Sequence, residues 1–162
     1  MSSKKPNFLF LLLFVLVNIG MVDGFVMTSA KAEADYVENA AQIVKGTDWS
    51  KMETVAVTIK EFSFNPDPLR FNKDAPYKLE IKNVGTEKHY FTATAFFKAV
   101  ASRKVQSNTD GEIKAPYFTA LEVFPGRQLD FYFVPVKKGS YYLLCTIEGH
   151  EEQGMHGKIV IE

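Results

Sequence analysis

Residues 141–162 read YYLLCTIEGHEEQGMHGKIVIE, two strand-like runs joined by a loop. Alternation in the first run puts Tyr141, Leu143 and Cys145 on one face of a strand, and residues 158–161 close the chain as another. The stretch holds the chain's only cysteine, two of its three histidines and one of its five methionines. Cys145, His150 and Met155 follow one another at two equal intervals of five. A loop that folds back on itself can aim all three side chains at one place.

Outward from this stretch the period of two persists. Val55, Val57 and Ile59 alternate with Ala56 and Thr58, and Tyr77, Leu79 and Ile81 alternate with Lys78, Glu80 and Lys82, the pattern of half-buried strands. His89-Tyr90-Phe91-Thr92 begins another strand, and residues 118–124, 128–134 and 140–145 add three more. Turn clusters punctuate them: Asn65-Pro66-Asp67-Pro68, Asn83-Val84-Gly85, Asn108-Thr109-Asp110-Gly111, Pro125-Gly126 and Lys137-Lys138-Gly139. Seven or eight short strands with such turns predict an all-β fold over residues 53–162, a Greek-key antiparallel β-sandwich or barrel. The segment AFFKAVASRKVQ (95–106) breaks the alternation and reads as a helical or irregular insertion, with Arg103 and Lys104 in solvent. Upstream, DYVENAAQIVKG (35–46) places Val37, Ala40, Ala41 and Val44 on one helical stripe, which Asp35 can cap and Gly46 can end. This short helix and the linker TDWSKM form an N-terminal arm, residues 33–52, which Trp49 docks against the body.

At 162 residues the chain has room for one domain with a real core, and its 14 Phe and 7 Tyr fit neither disorder nor a disulfide-stapled mini-fold. Basic and acidic residues balance at 19 each, and no basic tract points to nucleic acid. Lys4 and Lys5, the apolar run FLFLLLFVLVNIGMV (8–22) and the small-x-small triplet Ala30-Lys31-Ala32 have the three-part layout of a secretory signal peptide, residues 1–32. A retained membrane anchor is the alternative, although the run is broken by Asn18 and Gly20 and falls short of the roughly 20 residues that span a bilayer. Export predicts a periplasmic or other extracytoplasmic location. A lone cysteine there cannot form an internal disulfide, so it is either buried and inert or chemically employed.

Thiolate, imidazole and thioether together make a soft donor set suited to copper. Zinc is disfavoured, because methionine binds it poorly and no second cysteine or carboxylate pattern completes a tetrahedral site. A trigonal copper site needs a second imidazole, and only His89 and His156 remain. His156 adjoins Met155 where the chain turns into its last strand, so it should point away from whatever Met155 faces. His89 opens a strand that can lie at the same end of a sandwich as the 145–155 loop. The expected donors are therefore His89, Cys145, His150 and Met155. Asn83 and Thr146 are candidates for hydrogen bonds that hold the loop and tune the sulfur. Glu148, Glu151 and Glu152 are candidates for an acidic rim around His150 that steers a basic partner.

The run CTIEGHEEQGM, with His89 placed 56 positions before Cys145, resembles the copper-binding pattern of the cupredoxins, the small blue-copper proteins. Cys-Thr-x-x-Gly-His resembles the azurin loop, Cys-x4-His-x4-Met is closer to rusticyanin and auracyanin, and Gly-x-Ile-Val resembles the family's last strand. The resemblance spans residues 53–162; the 95–117 insertion and the N-terminal arm have no obvious counterpart in it. It implies a single type 1 copper ion with His89, Cys145 and His150 as equatorial ligands and Met155 as the weak axial one. The expected function is that of an exported electron carrier, not an enzyme. Its copper would cycle between Cu(I) and Cu(II), with redox partner proteins such as a cytochrome, an oxidase or a reductase, and the exposed edge of His150 as the electron's exit. Alternatives are a periplasmic copper carrier or chaperone, and a copper-free interaction module. A cysteine nucleophile with His89 or His150 as base leaves Met155 without a role, and multicopper enzymes of this fold require several domains and more than three histidines. A membrane is a partner only if the N-terminal segment stays as an anchor.

Overall fold

The computed structural model describes residues 36–107 and 110–162. The expectations for the signal peptide at 1–32, for Asp35 as a cap and for Asn108-Thr109 in a turn lie outside the described residues. Helix α1 (Ala40–Gly46) and a 3-10 turn (Trp49–Lys51) precede strands β1 (Glu53–Lys60), β2 (Ser63–Asn65), β3 (Leu69–Phe71), β4 (Tyr77–Asn83) and β5 (His89–Thr92). The one-turn helix α2 (Thr94–Phe97) follows, then β6 (Val100–Ser107), β7 (Gly111–Ile113), β8 (Ala120–Val123), β9 (Gln128–Pro135), β10 (Gly139–Leu144) and β11 (His156–Ile161). These strands form two sheets, ordered β2-β1-β4-β9-β6-β7 and β3-β11-β10-β5-β8, around one shared core.

The expected β-sandwich is present, with differences that have local causes. Most neighbouring strands pair antiparallel, but β1 with β4 and β3 with β11 are parallel. The chain leaves β2 in one sheet, passes through the Asn65–Pro68 turn into β3 in the other, and returns to lay β4 along β1. Strands β2, β3 and β7 are three residues each, too short for alternation to register. The expected helical or irregular insertion at 95–106 is corrected: only Thr94–Phe97 is helical, and Val100–Ser107 is a full strand between β9 and β7. Its alternation fails because Ala99, Val100 and Ala101 are buried in succession and the register against β9 shifts between Ser102 and Lys104. Arg103 and Lys104 are not free in solvent, since the Arg103 guanidinium lies 4.4 Å from the Trp49 ring centre and Lys104 pairs with Glu112 at 2.6 Å.

Helix α1 is shorter than the expected 35–46, because Val37 is buried ahead of the helix and Ala41 faces solvent. Trp49 docks the arm as expected: its Nε1–H donates to the Val44 carbonyl at 3.0 Å while Arg103 of β6 covers its ring. Among the described residues no helix is long and apolar enough to cross a membrane.

Aromatic rings fill the centre. Phe133 meets Phe71 and Phe96 edge to face and stacks on Phe131, with the last pair of centroids 4.8 Å apart. Cys145 and Met155 belong to the same buried cluster, so the loop that carries the chemistry is anchored by core packing. Phe133→Ala should lower the unfolding free energy by roughly 3–5 kcal/mol in a urea titration. A loss below about 1 kcal/mol would mean that this aromatic cluster does not hold the sheets together.

Candidate metal centre

Four segments converge at one end of the sandwich. The loop 84–88 delivers His89 to the start of β5, which pairs with β8 through His89↔Val123 and with β10 through Thr92↔Leu144. The second pairing sets Cys145, the residue after β10, beside β5, where the Tyr90 N–H donates to its Sγ at 3.4 Å. The 145–155 loop then closes on itself. The Cys145 N–H donates to the Met155 carbonyl at 3.0 Å, the Met155 N–H to the His150 carbonyl at 2.9 Å, and the His150 N–H to the Ile147 carbonyl at 3.1 Å. Gly149 and Gly154 adopt φ of 81° and 98°, where a Cβ would be strained, so this tight path requires glycine at both. The fourth segment is the turn between β1 and β2, which brings Glu61 and Phe62.

Three of the expected donor atoms meet, and the fourth residue, Met155, lies buried on the same loop. His89 Nδ1 lies 3.9 Å and His150 Nδ1 3.5 Å from Cys145 Sγ, and the three donor atoms all lie within 4.8 Å of one another. Metal bonds of about 2.0 Å to nitrogen and 2.3 Å to sulfur, at angles between tetrahedral and trigonal, separate N from S by roughly 3.5–3.7 Å. The observed 3.5 and 3.9 Å bracket that separation, so the three donors are close enough to share one ion. Met155 is fully buried on the same loop, its backbone hydrogen-bonded to both Cys145 and His150. Two imidazoles, a thiolate and a thioether are the donor set of a type 1 copper site. The expected exposed edge of His150 is corrected: the residue is only 6% exposed, because the Phe62 ring packs against it edge-on at 5.0 Å.

Carboxylates stand behind both rings. His89 Nε2 lies 3.7 Å from Glu61 Oε1, and His150 Nε2 lies 3.5 Å from Glu87 Oε2. Such outer partners fix the orientation of a ligating imidazole. Glu61 also accepts from the Thr86 N–H at 2.6 Å and the Glu87 N–H at 2.9 Å. Its own backbone N–H and those of Glu87 and Thr86 hold its carboxyl down to about 2, so it is a permanent anion. Gly85 leaves it room, since a Cβ there would stand 2.5 Å from Glu61 Oε1. Burial pushes His89 below its ordinary 6.5 and repulsion from His150 adds to that, while Glu61 and Glu87 offset part of it. The neutral ring is the form that ligates.

Asn83 is buried and holds the loop rather than the sulfur. Its Nδ2–H groups donate to the Glu87 and Val123 carbonyls at 2.7 and 2.8 Å, and its Oδ1 accepts from the Gly85 N–H at 2.9 Å. The donor to sulfur that was expected of Asn83 or Thr146 is instead the Tyr90 N–H; Thr146 Oγ1 lies 3.2 Å from Thr92 Oγ1 and ties the ligand loop to β5. His156 is exposed and stacks on Tyr142 at 5.8 Å, apart from the donor cluster as expected. Glu148 and Glu152 are exposed, whereas Glu151 accepts from the Tyr142 hydroxyl at 2.8 Å. Glu61 and Phe62 were not legible in the sequence, because a hairpin remote from every donor supplies them. For Glu87 the one signal was its place two residues before His89.

No family model matches the chain, and a search of curated proteins returns no relative. Solved structures do match. A multicopper oxidase from Aquifex aeolicus aligns at 14% identity and a TM-score of 0.56, over 72% of this chain and 30% of its own. A copper-containing nitrite reductase from Thermus scotoductus aligns at 12% identity and a TM-score of 0.55, over 78% of this chain and 33% of its own. An auracyanin from Roseiflexus castenholzii aligns at 16% identity and a TM-score of 0.47, over 67% of this chain and 96% of its own. The chain thus spans about a third of the length of the oxidase and the reductase. The first two alignments show the fold: this is a cupredoxin-type sandwich.

Two outcomes follow for the metal-free protein. Asn83→Ala leaves a carbonyl of the ligand-bearing loop and one of β8 without their donor, and should cost about 1–3 kcal/mol of stability in a denaturant titration. A base whose folded pKa is depressed binds more protons when unfolded, so its contribution makes stability rise with pH and fall on acidification through the window below 6.5. The calorimetric Tm should therefore drop between about pH 7 and pH 5, and drop less in His89→Gln. An equal drop in both proteins would show that His89 is not the group responsible.

Proposed function

We propose that the protein is an exported single-copper electron carrier, with His89, Cys145 and His150 as equatorial ligands and Met155 as the axial one. The observation that carries this reading is the preformed cage, in which a buried thiol sulfur lies 3.9 and 3.5 Å from the Nδ1 atoms of two buried histidines. Bound copper supplies a one-electron Cu(I)/Cu(II) couple. The chain's own part is to keep the donors still. The backbone bonds of the 145–155 loop, the Tyr90 N–H on the sulfur and the two carboxylates behind the imidazoles all resist rearrangement. Walls that do not move impose little reorganisation when charge enters or leaves, and the apolar core keeps bulk water away.

The surface over His150, where the Phe62 ring packs against it, is the face a partner would meet. Glu87, Glu148 and Glu152 are exposed carboxylates on the loops that carry His89 and His150, which favours a partner with a basic patch, such as a cytochrome. The cage uses two of the chain's three histidines, too few remaining for the further copper ions of an oxidase. The tripartite layout of residues 1–32 supports a location outside the cytoplasm.

Visible absorption of the Cu(II)-loaded protein tests the reading. An intense thiolate-to-copper band should appear, bleach reversibly on reduction and vanish in Cys145→Ser. Cu(II) binding without that band contradicts electron carriage, and rapid hand-over of copper to a chelator with slow electron exchange would indicate metal delivery instead. Glu148→Lys/Glu152→Lys, which spares the Glu151–Tyr142 bond, should slow reaction with a cationic cytochrome by roughly tenfold at low salt and less at high salt. Unchanged rates in both conditions would remove the acidic rim from the account.

A further inference from the structure

We infer that Glu61 is a positioning residue of the metal site. Its carboxylate fixes His89 as the Nε2–H tautomer with Nδ1 turned to Cys145, and its negative charge favours the more highly charged state of a bound ion. The second half rests on the single-copper reading, whereas the first concerns the metal-free protein as well.

His89 is fully buried, and its Nε2 has no hydrogen-bond partner within ordinary reach. An imidazole that gives Nδ1 to a metal must carry its proton on Nε2, and a buried N–H without an acceptor is costly. The acidic group facing that nitrogen is Glu61 Oε1 at 3.7 Å, too long for a hydrogen bond but close enough for its negative charge to favour an N–H dipole pointed at it. Glu61 cannot swing away. The amides of Thr86 and Glu87 and the Thr86 hydroxyl hold the same oxygen, and the absent side chain of Gly85 leaves it the space it fills. The charge is therefore set by the loop before any ion arrives. Copper carries one more positive charge when oxidised, so a fixed anion behind one of its ligands stabilises Cu(II) more than Cu(I). Glu87 faces His150 in a similar way, but its side chain is 61% exposed and water screens it. Of the two carboxylates, Glu61 should have the larger effect.

Glu61→Gln in the full chain keeps an oxygen for the loop amides while removing the charge. Two readouts apply: the His89 tautomer in the metal-free protein, from long-range 15N–1H NMR correlations, and the midpoint potential of the copper-loaded protein. Wild type should hold the Nε2–H tautomer and Glu61→Gln a mixture of both. The variant's Cu(II)-to-Cu(I) affinity ratio should fall about tenfold, a rise of about 59 mV for a one-electron couple. Glu87→Gln should shift the ratio less. Gly85→Ala, which displaces the carboxylate without removing it, should reproduce the tautomer mixing even if Glu61→Gln folds poorly. An unchanged His89 tautomer in both Glu61→Gln and Gly85→Ala overturns the inference, as does a shift of less than twofold in the affinity ratio. If wild type gives no thiolate band with Cu(II), the electron-carrier reading fails on its own, and the tautomer alone decides the role of Glu61.

Discussion

Two imidazoles and a thiol gathered within 4.8 Å at the end of an apolar sandwich are expensive to bury, and much of the surrounding structure offsets that cost. Desolvation, with repulsion from His150, keeps His89 neutral. The sulfur receives a backbone N–H from Tyr90, and carboxylates face both outer nitrogens. Asn83 and Glu61 tie down the loop that leads to His89, one from inside the core and the other from the β1–β2 turn. None of these groups is a donor to metal, yet each restricts where a donor can go.

The same constraint explains the shape of the ligand loop. Cys145 and Met155 belong to the hydrophobic core, so both ends of the loop are fixed by packing, and backbone bonds from Met155 to Cys145 and to His150 leave the span between little freedom. Stability and site geometry are thus coupled, because loosening the core around Cys145 or Met155 also loosens the cage.

Much of this was legible in the sequence, for reasons particular to each element. Tyr77–Asn83 alternates cleanly because one face meets the core and the other carries Lys78, Glu80 and Lys82. The donors could be read because cysteine, histidine and methionine are scarce here and evenly spaced. Strand β6 was hidden because a bulge and three successive buried residues erase the period of two. Glu61, Phe62 and the Tyr90 amide were hidden for a different reason. They reach the site through sheet pairing and a remote hairpin, and no local pattern records either. The burial of His150 belongs to the same class, since Phe62 arrives from a hairpin distant in sequence.

The central claim is that one copper ion sits among donors already in position, bonded to sulfur and to the inner nitrogen of each ring. A crystal structure of the copper-loaded protein, with the ion located by its anomalous scattering, addresses this most directly. The account expects a single copper peak bonded to Cys145 Sγ, His89 Nδ1 and His150 Nδ1, with Met155 at longer range and Nε2 of both rings still facing Glu61 and Glu87. A copper bound through Nε2, or placed away from Cys145, would contradict it.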